Sequence, residues 1–239
     1  MLYFFLPAPC LSCSAPILAP KETMGLCSSC RELLTRWSAN GCAICGQIIE
    51  GAEPPDGYRC GACRRSPPPF ERTLSAWTYR PPIDVVLTGL KFGHLDYLGA
   101  HLGRRLAELF GDRLRRCDVV VPIPLHWSRY VRRGYNQAMS IARPLGSALG
   151  LPVCNALRRT RPTPAQSRLP RAERQQNMVD AFTARRPPPW RAQPWRGRHI
   201  VLVDDVLTTG TTITAAAAGL MRSGAEAVTV LTAARTPES

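Results

Sequence analysis

The chain has 239 residues, 45% of them hydrophobic, and a formal net charge of +14 at pH 7, which leaves room for one ordinary domain plus a small appendage. No run approaches the roughly 18 apolar residues of a membrane-spanning helix. The apolar start, Met1-Leu2-Tyr3-Phe4-Phe5-Leu6, has no basic stretch before it and runs straight into Pro7, a poor signal peptide, so a cytoplasmic location is expected.

The charge is unevenly placed. The first 70 residues hold six basic and five acidic side chains, and the rest holds 25 against 12. A positive field of that size can attract a polyphosphate ligand or a nucleic-acid backbone. Only two of the 31 basic residues are lysine; arginine suits bidentate phosphate contacts, although a skewed genomic base composition produces the same bias.

Eight of the ten cysteines form four Cys-x-x-Cys pairs, Cys10/Cys13, Cys27/Cys30, Cys42/Cys45 and Cys60/Cys63. In a reducing compartment such pairs favour zinc over disulfides. Thirteen residues separate Cys13 from Cys27 and fourteen separate Cys45 from Cys60, so each half reads as a zinc ribbon with four thiolates around one Zn²⁺. Pairing of adjacent knuckles is preferred, with a crossed arrangement as the alternative. Eight thiolates close two sites and leave no position for a reacting ligand, so the metal role is structural. Residues 30–37 read as a short helix between the halves. Cys117 and Cys154 stand alone in apolar surroundings and read as small core residues.

Ser66-Pro67-Pro68-Pro69-Phe70 marks a linker, because proline removes donors and stiffens the chain. The expected division is a double zinc-ribbon-like domain over 1–66 and a larger domain over 70–239. In the latter, residues 74–79 read as a strand, and 83–92 and 97–110 as helices. Lys91 ends the first helix and is the only lysine of this part; it is a phosphate-contact candidate, against the plainer reading of a solvated helix-end lysine. Residues 118–124 form the next strand, ended by Pro122 and Pro124. After it, Arg129, Arg132, Arg133 and Gly134 cluster at the strand's carboxyl end, and Asn136 can cap an amphipathic helix running to about Leu149.

From 158 to 198 there are eleven arginines against Glu173 and Asp180. Residues 158–167 read as irregular, 171–179 as a short helix and 181–183 as a strand. The segment 158–179 is expected to form a basic hood over an anionic ligand, and 185–197 a flexible insert.

The last unit is the most informative. Val201-Leu202-Val203-Asp204-Asp205-Val206-Leu207-Thr208-Thr209-Gly210-Thr211-Thr212 is a buried strand that ends in paired carboxylates and a hydroxyl-and-glycine turn, with a helix from Ile213. Thr208, Thr209, Gly210, Thr211 and Thr212 would then open a helix N-terminus, where free backbone N–H groups and a positive dipole favour a phosphate. Asp204 and Asp205 can accept hydrogen bonds from vicinal sugar hydroxyls. The plain alternative is a Thr-rich cap, but two adjacent acids after a buried strand must each be solvated or paired.

This block resembles the phosphoribosyl-pyrophosphate (PRPP) loop of type I phosphoribosyltransferases. With Pro122-Ile123-Pro124-Leu125, the run Arg133-Gly134-Tyr135-Asn136-Gln137-Ala138, residues 158–166 and 174–182, and the cysteine head, the chain resembles the ComF/GntX competence family over almost its whole length. The resemblance implies an α/β, parallel-sheet phosphoribosyltransferase-like fold behind the zinc ribbons. It also implies PRPP held with Mg²⁺, Asp204 and Asp205 at the ribose, Arg129, Arg132, Arg133 and Gly134 at the pyrophosphate, and competence proteins as partners in DNA uptake. Some purine-using relatives have an acid where Thr208 stands, so the acceptor needs no general base or PRPP is bound without turnover. The competing class is a single-stranded-DNA-binding module, since Trp127, Tyr130, Tyr135, Trp190 and Trp195 lie among arginines and bases stack on such rings.

Overall fold

The computed structural model describes residues 7–18, 23–38, 40–49, 51, 54–160, 181–185 and 193–237. The short helix expected over 171–179, Trp190, most of the basic hood and the middle of the 185–197 insert lie outside these residues, as do residues 1–6. Among the described residues no helix is long and apolar enough to cross a membrane.

The head contains a two-residue hairpin, β1 (Ala8–Pro9) and β2 (Pro16–Ile17), and two one-turn helices, α1 (Ser28–Glu32) and α2 (Gly61–Arg65). The larger part is built from β3 (Arg72–Thr78), α3 (Ile83–Phe92), α4 (Tyr97–Phe110), β4 (Val119–Pro122), α5 (Trp127–Arg133), α6 (Gln137–Leu149), β5 (Leu157–Arg159), β6 (Phe182–Ala184), β7 (His199–Leu207), α7 (Thr211–Arg222) and β8 (Ala227–Arg235). Four parallel strands form the central sheet in the order β3-β8-β7-β4. The fold is therefore α/β with a parallel sheet, as the sequence implies.

Helical periodicity places the two layers. Ile83, Val86, Leu87 and Leu90 of α3, and Ala138, Ile141, Ala142 and Leu145 of α6, repeat at i, i+3, i+4 and i+7 and are buried, the stripe of a helix laid on a core. With α4 they cover one sheet face. Ile213, Ala216, Ala217 and Leu220 of α7 repeat in the same way and cover the other with Phe182 of β6. Helices α4 and α6 approach closely because Gly99 and Gly103 face Ser140 and Ile141: a Cβ on Gly103 would lie 2.3 Å from the Ile141 carbonyl oxygen. Asn136 caps α6 as expected, its Oδ1 accepting from Ala138 N–H at 3.1 Å.

Two local readings are corrected and one element is added. The helix expected over 30–37 ends at Glu32, and residues 35–37 run antiparallel to the edge strand β3, with Trp37 N–H donating to the Ala76 carbonyl at 3.0 Å and Thr78 N–H to that of Thr35 at 2.9 Å. An open edge with free backbone groups outweighs the helical pattern. Leu157–Arg159, whose last two residues were read as irregular, pairs antiparallel with Phe182–Ala184. The arginine cluster after β4, to which no element is assigned from the sequence, lies on a helix, α5, ended by Gly134.

Two groups of four cysteines converge, Cys10/Cys13/Cys27/Cys30 and Cys42/Cys45/Cys60/Cys63, with all Sγ atoms of a group within 4.8 Å. This is the adjacent-knuckle pairing. Cys13 and Cys27 Sγ lie 3.6 Å apart and Cys45 and Cys60 Sγ 3.7 Å, close to the edge of about 3.8 Å that a tetrahedron of 2.3 Å Zn–S bonds requires. The halves repeat one device: Cys27 N–H donates to Cys10 Sγ and Cys60 N–H to Cys42 Sγ, at 3.4 and 3.3 Å. Burial opposes ionisation of Cys10 and Cys42, yet such backbone donors bring each thiol down to about 6, ready to act as a thiolate ligand. Both groups thus fit zinc. Cys117 and Cys154 belong to neither.

The ribbons are anchored differently. Ile17, Met24 and Leu26 of the first pack into the same core as Leu87, Leu98 and Leu102, whereas the second has a small cluster of Ile44, Tyr58 and Phe70 around its cysteines. The second should depend more on its metal. Cys42→Ser is expected to lose one of two zinc equivalents by metal analysis and to lose hydrogen-exchange protection across 42–63, with the sheet still protected; loss of protection throughout the chain would contradict this division.

Candidate functional site

Strand β7 lies between β4 and β8 and is buried on both faces from Ile200 through Val203, so that, apart from His199 at its start, its polar residues emerge at its carboxyl end. There Asp205 is buried and Asp204 half-buried. Asp205 N–H donates to Asp204 Oδ1 at 2.9 Å. Two carboxylates at one strand end repel, and burial compounds the cost. Burial first, and the Asp205 charge second, push the Asp204 carboxyl up to about 7, against opposing contributions from the Asp205 amide, Lys91 and Arg159.

Three cations from separate elements answer this pair. Lys91, at the end of α3, places Nζ 3.1 Å from Asp205 Oδ2 in a partly buried ion pair. The solvated helix-end reading of Lys91 is thereby replaced. Arg133, at the end of α5, donates to Gln137 Oε1 at 2.9 Å and lies over the Phe92 ring at 4.8 Å. Burial first, then Arg129 and Arg132, lower its pKa, while Asp205 raises it. Arg159 of β5 lies over Phe182 at 5.3 Å; burial and Arg129 lower its pKa, and Asp204 raises it. Arg129, Arg133 and Arg159 are therefore within electrostatic reach of one another or of the aspartates. Arg159 was missed as a site residue in its own right, because its strand partner lies more than twenty residues away.

Helix α5 is set by its ends. His126 caps it by accepting from Ser128 N–H, and Gly134 ends it at φ 77°, a left-handed conformation that favours glycine. Arg132 is exposed, whereas Arg129 and Arg133 are half-buried.

Beyond Asp205 the chain leaves β7 at Leu207 and turns through Thr208, Thr209 and Gly210 into α7. Gly210 has φ 75° and is the N-cap, with no side-chain cap hydrogen bond at this helix end. The first N–H groups of a twelve-residue helix thus face the turn. Thr208 and Thr209 are exposed, and Thr209 and Thr211 share a hydroxyl hydrogen bond of 2.9 Å. Amides, hydroxyls and a helix dipole form an anion cradle directly after two sugar-competent carboxylates.

A pH dependence follows. An acid whose folded-state value, about 7, exceeds its ordinary 3.8 takes up a proton on folding between those values, so the stability it supports falls as pH rises through that window. Asp204→Asn removes the effect. The melting temperature of the variant relative to wild type should increase from pH 5 to pH 8 by at least about 2 °C, read by thermal denaturation; a constant difference would refute the buried-pair account.

Comparison with known proteins agrees with this architecture. The phosphoribosyl transferase domain model matches residues 132–239, from the end of α5 through β8. Over 236 residues the chain is 34% identical to DNA utilization protein YhgH of Salmonella typhimurium, covering 96% of this chain and 98% of that protein. It is 28% identical over 232 residues to competence protein F of Haemophilus influenzae, covering 95% and 96%, and 27% identical over 220 residues to competence protein ComFC of Bacillus subtilis, covering 87% and 82%. The first two alignments include the cysteine head along with the sheet domain, and on them the chain belongs to the ComF/GntX competence family, a cysteine-rich head of zinc-ribbon type joined to a phosphoribosyltransferase domain.

Proposed function

We propose that the chain binds PRPP with Mg²⁺ at the carboxyl end of β7 and acts in the cytoplasm in the handling of DNA. The observation that carries this reading is the sequence of groups along one short path: the paired aspartates, Asp204 half-buried and Asp205 buried, the Gly210 turn and the uncapped N-terminus of α7. The 5-phosphate is assigned to the amides and hydroxyls of Thr208, Thr209, Gly210, Thr211 and Thr212, and the ribose hydroxyls to Asp204 and Asp205. The pyrophosphate is assigned to Arg129, Arg132, Arg133 and the Gly134 turn. The names of the relatives, DNA utilization and competence proteins, support a DNA-related role with competence proteins as partners.

The side chains suit the charge changes of pyrophosphate departure. As the ribose carbon takes on oxocarbenium character, Asp204 and Asp205 hold the hydroxyls in place, and the arginines of α5 offset charge growing on the leaving group. Lys91 neutralises Asp205 before ligand arrives. A hard oxygen-ligated cation suits this acidic pair, in which burial first and the Asp205 charge second hold the Asp204 carboxyl above its ordinary value. Magnesium, when bound, neutralises part of the pyrophosphate charge. Zinc is assigned to the two cysteine groups as a structural ion.

A second reading is PRPP binding without transfer, with single-stranded DNA as the partner. It is favoured by Thr208, which is exposed and offers a hydroxyl but no titratable group where an incoming base would need one. Pyrophosphate release with a panel of bases and amines separates the two readings. The reading common to both is tested by Asp204→Asn with Asp205→Asn: PRPP affinity should fall at least roughly 100-fold, the loss of two charge-assisted contacts, by calorimetry on zinc-loaded protein. Affinity retained in this variant would remove the proposal.

A further inference from the structure

The amino end of the sheet, opposite the site above, carries a cleft of about 820 Å³ between the second ribbon and the larger part of the chain. Its rim is basic. Arg59 comes from the ribbon, Arg72 begins β3, and Arg113, Arg115 and Arg116 come from the turn between α4 and β4. Against them stand Glu71 and Asp112, and Asp112 is already held by Arg115 at 2.7 Å. Among the described residues, Arg59, Arg72, Arg113 and Arg116 have no ion-pair partner, and all four are exposed. Three distant segments thus bring unneutralised guanidinium groups to one concavity. Four like charges kept together repel, an arrangement with no benefit to folding but suited to a polyanion.

The floor differs from the rim. The buried Ile44 and Cys117 and the half-buried Phe70 line the cleft beneath the exposed arginines, together with Pro67 and Pro68. A surface that offers apolar area beneath a ring of cations suits a ligand presenting bases as well as phosphates, which a single strand does and a duplex does not. An acidic polypeptide would use the rim but not the floor. We infer that this cleft is a binding surface for single-stranded nucleic acid, separate from the PRPP site. The eight steps of β7 from His199, which lines the cleft, to Leu207 set the two apart by about 26 Å. The near-neutral charge of the head taken alone conceals this surface, because only Arg59 is contributed by the ribbon and the rest by the sheet domain. The inference does not depend on PRPP being the ligand of the other site.

The test is fluorescence anisotropy with a labelled oligothymidylate and the full-length, zinc-loaded protein across a salt series. Four phosphate contacts give a slope of log K on log salt of about −3, and Arg113→Ser with Arg116→Ser should reduce its magnitude by about 1.4 and weaken binding roughly tenfold. Both side chains are exposed, and an unchanged melting temperature and two zinc equivalents by metal analysis check that the variant is intact. Saturating PRPP should leave oligonucleotide affinity unchanged. Three results would overturn the inference: unaltered binding in the double variant, displacement of the oligonucleotide by PRPP, or equal competition by poly-glutamate. Failure of PRPP to bind, with oligonucleotide binding still sensitive to Arg113 and Arg116, would instead remove the PRPP proposal alone.

Discussion

Two carboxylates placed side by side where a buried strand ends organise the carboxyl end of the sheet. Strand β7 is apolar and covered on both faces up to Val203, so Asp204 and Asp205 appear where the sheet gives out and water is already partly excluded. Burial first, and the neighbouring Asp205 charge second, raise the Asp204 value, and the pair is met by positive charge. Lys91 from α3, Arg133 from α5 and Arg159 from β5 supply it. These three elements share no local sequence, and each is held by packing of its own, such as Arg133 on Phe92 and Arg159 on Phe182. An anionic ligand approaching this end meets cations already assembled and an uncapped helix terminus.

The head is tied to the same sheet. Residues 35–37 pair with β3, closing an edge that would otherwise expose backbone donors and acceptors. Trp37 then bridges outward: its indole N–H donates to the Gly46 carbonyl at 3.0 Å, and Arg235 of β8 lies over its ring while donating to the Cys45 carbonyl. The second ribbon is thereby oriented from the sheet rather than hung from a free linker, which is what allows a cleft with walls from both parts. A link of this kind gives the metal sites a mechanical role, since the ribbon's shape fixes where Arg59 stands.

Much of this was legible in the sequence for local reasons. The helices 83–92 and 97–110 coincide with α3 and α4 because their apolar residues repeat with the helical period. The strand-acid-turn-helix order of the last unit is likewise local, and the cysteine spacing favoured the adjacent pairing that both four-thiol groups show, with a crossed one left open until the structure. What the sequence hid depends on distance along the chain. Lys91 resembles any solvated lysine until a strand more than a hundred residues later places Asp205 beside it. Arg159 lies in an arginine-rich run without periodicity and is ordered by pairing with residues 182–184. Residues 35–37 follow a helical pattern that an unpaired sheet edge overrides. The basic cleft is of the same kind, built from arginines that are individually unremarkable.

The central claim is that the Asp204-to-Thr212 path is a sugar-phosphate site. A crystal structure of the zinc-loaded protein soaked with Mg²⁺ and PRPP addresses it most directly. The account predicts the 5-phosphate against the backbone amides of residues 208–212, the ribose diol on Asp204 and Asp205, and Lys91 displaced from its 3.1 Å pairing with Asp205. An empty β7 terminus at saturating ligand, or PRPP seated elsewhere with the Lys91–Asp205 pair intact, would contradict it.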